Sequence, residues 1–169
     1  ENGTRFSCVR YGNVANSRGS VIPFFREIAK KGLIPITHPD MTRFMVTIEE
    51  AVDLVERAER LMQGGEIFVL RCPSVRIAEL ARAIGGTQCD YPVTGIRSGE
   101  KLHETLISRE EMGRAYDMGT HIEILPDVNW FERQSHYTVP LGCDPPSYAS
   151  DTNSDWIAGD ELPAFLERV

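Results

Sequence analysis

No GxGxxG loop, no Walker A sequence and no Tyr-xxx-Lys pair occurs in these 169 residues. The first two absences exclude the standard glycine-rich cradles for dinucleotide and nucleotide phosphates. The third excludes a common acid/base pair, because Tyr11, Tyr91, Tyr116, Tyr137 and Tyr148 all lack a lysine four positions on. Cysteine is scarce and scattered: Cys8, Cys72, Cys89 and Cys143 form no CxxC. The first three lie in or beside apolar, strand-like runs, so they read as buried free thiols of a reducing compartment rather than disulfide or metal partners. The histidines (His38, His103, His121, His136) have no ligand spacing. His103-Glu104 lacks the second histidine of a zinc-protease helix, so no metal is expected. Basic residues number 18 against 25 acidic ones, a net charge of -7, which argues against a nucleic-acid-binding surface. No apolar run approaches the roughly 20 residues that span a bilayer. The polar first residues do not form a signal peptide, and a cytoplasmic location is expected.

What remains is an ordinary globular composition, 41% hydrophobic and 25% charged, in a chain long enough for a sizeable core. The start is abrupt. A strand over residues 4–11 is met almost at once, so the chain reads as the continuation of something upstream. That strand runs into Gly12, Asn13, Asn16, Ser17, Gly19 and Ser20, after which an apolar helix opens at Val21. A small-residue loop between strand and helix lies where open α/β sheets bind ligands, and it offers backbone N–H groups suited to anions.

Further along, periodicity predicts a helix over residues 21–32 with Val21, Phe24, Phe25, Ile28 and Ala29 on its apolar face. Residues 33–37 read as an edge strand and 38–44 as a loop. Thr47-Ile-Glu-Glu50 is a capping box opening a helix whose stripe is Ala51, Leu54, Val55, Ala58, Leu61 and Met62. A strand follows at 66–71, then a helix capped by Ser74, an extended stretch at 91–96, and a loop at 97–108 running into a helical turn. Ser108-Arg-Glu-Glu111 is a second capping box, 120–125 a strand, and 160–168 a closing helix. Between 126 and 153 the pattern dissolves, and 130–146 is read as a surface excursion.

Several loop residues suit a phosphorylated, polyhydroxylated ligand. Asn13 follows a strand and carries both donor and acceptor. Arg43 and Arg97 could bind phosphate oxygens bidentately, and Glu100, three residues after Arg97, could accept bonds from vicinal hydroxyls. The motifs RYGNV, SRGSVIPFF, PIT, MTRF, GGEIFV and IRSGEKLHE run in order over residues 4–107, and YASDTNSDW adds a weaker echo over 148–165. Together they resemble the extended short-chain dehydrogenase/reductases that act on nucleotide sugars. The nearest resemblance is to the inverting UDP-N-acetylglucosamine 4,6-dehydratases and related polysaccharide-biosynthesis proteins, carboxyl-terminal half only.

The resemblance implies an α/β fold, namely the carboxyl-terminal part of a Rossmann-type, NAD(P)-binding enzyme with its small substrate-binding domain. Residues 1–14 would be the last part of the Rossmann sheet, 15–125 the nucleotide-sugar-binding region and 126–169 an irregular tail with a terminal helix. Tyr11, Gly12 and Asn13 would lie near the NAD(P) nicotinamide, with the cofactor held mainly by sequence outside this chain. Asn13 would bond the diphosphate of a UDP-N-acetylglucosamine-like substrate. Val21 would line the uridine pocket, Ile36 and Thr37 flank the uracil, Arg43 and Arg97 grip the diphosphate, and Glu100 bind the ribose. The implied reaction is oxidation at C4, loss of water across C5–C6 and return of hydride to C6. Its acid/base residues are not in this chain, so no catalytic residue is assigned and this chain alone is expected to be inactive. Alternatives are a 4-epimerase of the capsular-polysaccharide type and a non-catalytic nucleotide-sugar-binding or assembly module. The family suggests a homo-oligomer. Unpaired strand edges at residues 4–11 point to poor stability or association of this chain alone.

Overall fold

Short apolar strands alternating with amphipathic helices give the mixed α/β architecture that the resemblance implies. The computed structural model describes residues 3–127, 137, 139–142 and 146–169. In chain order the elements are β1 (Cys8–Arg10), β2 (Asn13–Val14), α1 (Val21–Ala29), β3 (Thr42–Val46), α2 (Ile48–Leu61), β4 (Ile67–Leu70), β5 (Ser74–Arg76) and α3 (Ile77–Gly85). They continue with β6 (Thr105–Ile107), α4 (Arg109–Met112), β7 (Ala115–Asp117), β8 (His121–Ile124), β9 (Tyr148–Ala149) and α5 (Glu161–Arg168). Among the described residues no helix is long and apolar enough to cross a membrane. The 130–146 excursion lies largely outside the described residues, as does Cys143.

The fold divides into two units with interleaved segments. The first takes the described residues of Glu1–Tyr11, Glu49–Arg71 and Thr105–Ala149. Its sheet has the order β1-β4-β8-β7, parallel only between β1 and β4. Strand alternation sends successive side chains to opposite faces. Phe68 thus packs with Leu54 and Ala58 of α2, while its neighbour Val69 joins Ile107, Met112, Ala115, Ile122 and Ile124. On β8 the residues alternating with those isoleucines are polar and buried: His121 Nε2 meets Glu123 Oε1 at 2.8 Å, and Tyr137 donates its hydroxyl to Glu123. Burial and that carboxylate push the Tyr137 phenol well above its ordinary range.

The capping box at α4 forms as predicted, with the Ser108 N–H donating to Glu111 Oε2 at 3.0 Å. The same carboxylate receives Arg10 in a two-pronged pair, Nη1 at 2.8 Å and Nη2 at 2.9 Å. The Arg10 guanidinium, more than any other group, holds the Glu111 carboxyl below the usual carboxylate range. A folded-state pKa below the unfolded one means that this stabilisation is present at neutral pH and is lost as pH falls through the folded value. Glu111→Gln is therefore expected to lower stability at neutral pH by on the order of 1 kcal/mol. In thermal melts the gap from the parent should shrink once the parent carboxylate is protonated. A gap constant across the acid range would rule out this charge pairing as its cause.

The second unit takes Gly12–Ile48, Cys72–Glu104 and Ser150–Val169. Its sheet has β3 at the centre, parallel to β2 (Asn13 opposite Met45) and antiparallel to β5 (Arg43 opposite Val75). Its core gathers Ile22 and Phe25 of α1, Ile34, Ile36, Met41 and Met45, Leu80 and Ala81 of α3, and Leu162 and Phe165 of α5.

Several expectations are corrected. The first strand is shorter, β1 alone, and Cys8 is exposed rather than buried. On α1 Phe25 is buried as expected, but Ile22 is buried with it and Phe24 is half exposed, and Val55 and Leu61 of α2 are likewise exposed. Residues 42–44 are strand, not loop, because Phe44, Met45 and Val46 are fully enclosed between two partner strands. Ser74 caps no helix. It lies in β5, where its backbone bonds Asp155 and Ile157, and α3 starts three residues later. The stretch before Ser108 is strand β6 rather than a helical turn, paired with β9 across a register irregularity.

Candidate functional site

The second unit contains a pocket of about 590 Å³. One wall is the start of α1, with Ser20, Val21, Phe24 and Phe25. Another is the sheet edge carrying Asn13, Arg43 and Met45, and Pro35, Thr37, Thr94, Arg97 and Glu100 complete the lining. Six expected residues therefore converge on one cavity: Asn13, Val21, Thr37, Arg43, Arg97 and Glu100. They come from five separate stretches of chain. Ile36 is not among them. Its side chain is 3% exposed in the core, its backbone bonds Pro92 and Thr94, and its neighbours Pro35 and Thr37 line the pocket instead.

The α1 wall suits an anion. The helix has no acidic residue in its first turn, so its N-terminal partial positive charge is uncompensated there. At its N-cap, the Ser20 hydroxyl is buried without a hydrogen-bond partner among the described residues. A buried hydroxyl left unpaired is costly unless something else satisfies it. Ser20 belongs to the loop singled out in the sequence, yet nothing there set it apart from Ser17.

The two arginines differ. Arg43, on β3 and only 15% exposed, donates from Nη1 to Thr42 O (2.7 Å) and Leu102 O (3.0 Å), and from Nη2 to Lys101 O (2.9 Å). Its Nε lies 3.6 Å from Glu104 Oε1. It thus ties the 101–104 segment to the strand, and Glu104 balances its charge. Arg97 is exposed, and its guanidinium has no partner among the described residues. Its loop is a tight turn. The Glu100 N–H donates to Arg97 O at 3.0 Å, the Arg97 N–H donates to Glu100 Oε2 at 3.2 Å, and Gly99 takes φ +82°. A positive φ at that turn position favours glycine.

Glu104 organises the sheet side. Its carboxylate accepts the Asn13 amide nitrogen at 2.9 and 3.0 Å and the Phe44 N–H at 3.2 Å. Its own backbone is clamped by Ser150, whose Oγ accepts the Glu104 N–H (2.9 Å) and whose N–H donates to Glu104 O (2.8 Å). Ser150 Oγ also meets Thr42 Oγ1, which in turn meets His103 Nδ1. Sequence reading weighed Glu104 only as part of a failed zinc motif. Among the described residues no cluster of three or more His, Cys, Asp or Glu could hold a metal.

Tyr11, Gly12 and Asn13 are the residues expected near a nicotinamide. Tyr11 belongs to the first unit and the other two to the second. Gly12 is packed so closely on Phe44 that a Cβ would lie 2.5 Å from the Phe44 Cβ. The amide nitrogen of Asn13 is already engaged.

A family model described as polysaccharide biosynthesis protein matches residues 1–126. The chain is 39% identical over 98% of its length to an inverting UDP-N-acetylglucosamine 4,6-dehydratase of Campylobacter jejuni, covering 52% of that protein. It is 42% identical over 73% of its length to a UDP-glucose 4-epimerase of Rickettsia bellii, covering 38% of it. In structure it is similar to Pen from Bacillus thuringiensis, with a TM-score of 0.82 at 28% identity, over 97% of this chain and 50% of that one. The chain thus spans about half the length of the relatives it matches, or less.

Proposed function

Because the chain belongs to the polysaccharide biosynthesis protein family, we propose that it seats the nucleotide sugar in an NAD(P)-dependent UDP-N-acetylglucosamine 4,6-dehydratase of the inverting type. The observation that carries this reading is the pocket itself. An uncommitted arginine, an unpaired buried hydroxyl at a helix start and an apolar wall face one cavity, a combination suited to a nucleoside diphosphate. The likeness to the C. jejuni dehydratase over 98% of the chain supports the choice of reaction.

Within this reading Val21, Phe24 and Pro35 supply apolar surface for the base, and Thr37 and Thr94 supply polar atoms at its rim. Arg97 and the start of α1 meet the diphosphate. Glu100 holds the Arg97 turn closed through the Arg97 N–H, and its second carboxylate oxygen can accept a ribose hydroxyl. A bound nicotinamide cofactor would supply reversible hydride transfer at the hexose. No residue of this chain is given a part in that chemistry.

A 4-epimerase is the second reading, favoured by the likeness to the R. bellii protein. Incubation of the protein, in the full length its gene encodes, with UDP-N-acetylglucosamine and nicotinamide cofactor separates the two. The expected NMR spectrum shows a 6-deoxy-4-keto sugar. A C4-inverted hexosamine as the only product would replace the dehydratase reading with the epimerase one. No turnover and no UDP binding would sink both.

A further inference from the structure

The arrangement around Glu104 bears on what part of the ligand Asn13 can recognise. The carboxamide nitrogen of Asn13 has two hydrogens. One is directed at Glu104, whose two oxygens lie at 2.9 and 3.0 Å, and the other at Phe44 O, at 3.3 Å. The opposite orientation would set the Asn13 carbonyl oxygen against a carboxylate and a backbone carbonyl, acceptor facing acceptor. The network therefore fixes which end of the amide is which. The donor end is consumed inside the protein, and Oδ1 is left without a partner among the described residues. Asn13 is exposed and lines the pocket. A carbonyl oxygen accepts hydrogen bonds and does not donate them, whereas a diphosphate at neutral pH offers only acceptors. The donors of a nucleotide sugar are its hydroxyls and amide N–H groups. With the apolar face of α1 suited to the base, the donors left for the sheet side are those of the hexose.

We propose that Glu104 is a positioning residue that locks Asn13 with its carbonyl toward the ligand, and that Asn13 reads a hydroxyl or N-acetyl N–H of the hexose rather than the phosphates. The proposal rests on the nucleotide-sugar reading of the pocket, and it moves Asn13 from the diphosphate to the sugar. Glu104 is held for this task from two directions. Ser150 clamps its backbone, and the Arg43 guanidinium stands beside its carboxylate without displacing Asn13.

The test compares UDP with UDP-N-acetylglucosamine by calorimetry on the full-length protein. Asn13→Ala is expected to weaken UDP-N-acetylglucosamine roughly fivefold to tenfold, the loss of one hydrogen bond, and to leave UDP within about twofold. Glu104→Gln keeps the size of the side chain but puts an amide nitrogen where two acceptor oxygens stood. It should narrow the affinity ratio of the two ligands in the same direction. A merely structural role at either position would lower both affinities together and leave the ratio unchanged. Equal loss for UDP and the sugar nucleotide in Asn13→Ala, or no loss at all, overturns the proposal. Should Asn13→Ala fold poorly, the ratio measured in Glu104→Gln decides alone. Failure of the parent protein to bind UDP overturns the pocket reading instead, and the proposal with it.

Discussion

Arg97→Ala is expected to weaken UDP binding by roughly 10- to 100-fold while leaving the melting temperature within about a degree, since a charge-assisted hydrogen bond to phosphate contributes about 1.5–3 kcal/mol. The asymmetry between affinity and stability follows from the geometry. The guanidinium is exposed and has no hydrogen bond or ion pair among the described residues, so removing it breaks no polar contact there. The turn that carries it is closed by backbone and Glu100 atoms that alanine leaves in place. Arg43→Ala should behave in the opposite way. Its three carbonyl partners would lose their donor, Glu104 would lose its neutralising neighbour, and the melt should fall together with any loss of affinity. Titrations of UDP into both variants, alongside thermal melts, separate the two roles. Because Arg97 is exposed, its contribution should also fade as salt rises. Parent-like UDP affinity in Arg97→Ala would remove this residue from the site.

How much of this was legible in the sequence depended on how local each signal was. The start of α1 at Val21, the helix after Thr47, the capping box at Ser108 and strand β8 were all set by neighbouring residues, and the structure has them where expected. Strand β3 was not legible. Thr42–Val46 follows a polar His-Pro-Asp-Met run, and its partners, β2 and β5, lie about 30 residues away on either side. Without those partners TRFMV could as well close a loop, and Arg43 was placed in one. Ser74 misled for a related reason. A serine a few residues before an apolar run resembles an N-cap, but here its backbone pairs with 155–157, far along the chain. The candidate site was legible as a set of residues through ordered motifs, and the pocket gathers most of them. Their commitments were not legible. Asn13 and Glu104 are 91 positions apart, and no spacing rule links a loop asparagine to a glutamate in a segment read as a helical turn. A residue type suggests what a side chain can bind; its hydrogen-bond partners decide which of its atoms remain available.

The same distinction governs Gly12, whose alanine substitution is expected to destabilise the fold by about 3 kcal/mol or more, near the upper end of what overpacking costs. In the sequence Gly12 suited close approach to a cofactor. In the structure the close approach is to Phe44. A Cβ at position 12 would lie 2.5 Å from the Phe44 Cβ and 2.7 Å from both its carbonyl carbon and oxygen. Two of those atoms are backbone, so no rotamer change relieves the contact. Phe44 itself is fully buried on the central strand, opposite Ser74 of β5 in the ladder, and it has nowhere to retreat. Gly12 does not have the positive φ seen at ten other glycines, so the restriction is one of space rather than of backbone conformation. Gly113 provides the control, with φ -66° and no heavy atom within 4 Å of a built Cβ. Gly113→Ala should therefore be close to neutral. In urea denaturation Gly12→Ala should shift the midpoint strongly downward and Gly113→Ala should not. If Gly12→Ala instead keeps the parent midpoint and loses only cofactor affinity, the glycine serves a ligand after all and its packing against Phe44 is incidental.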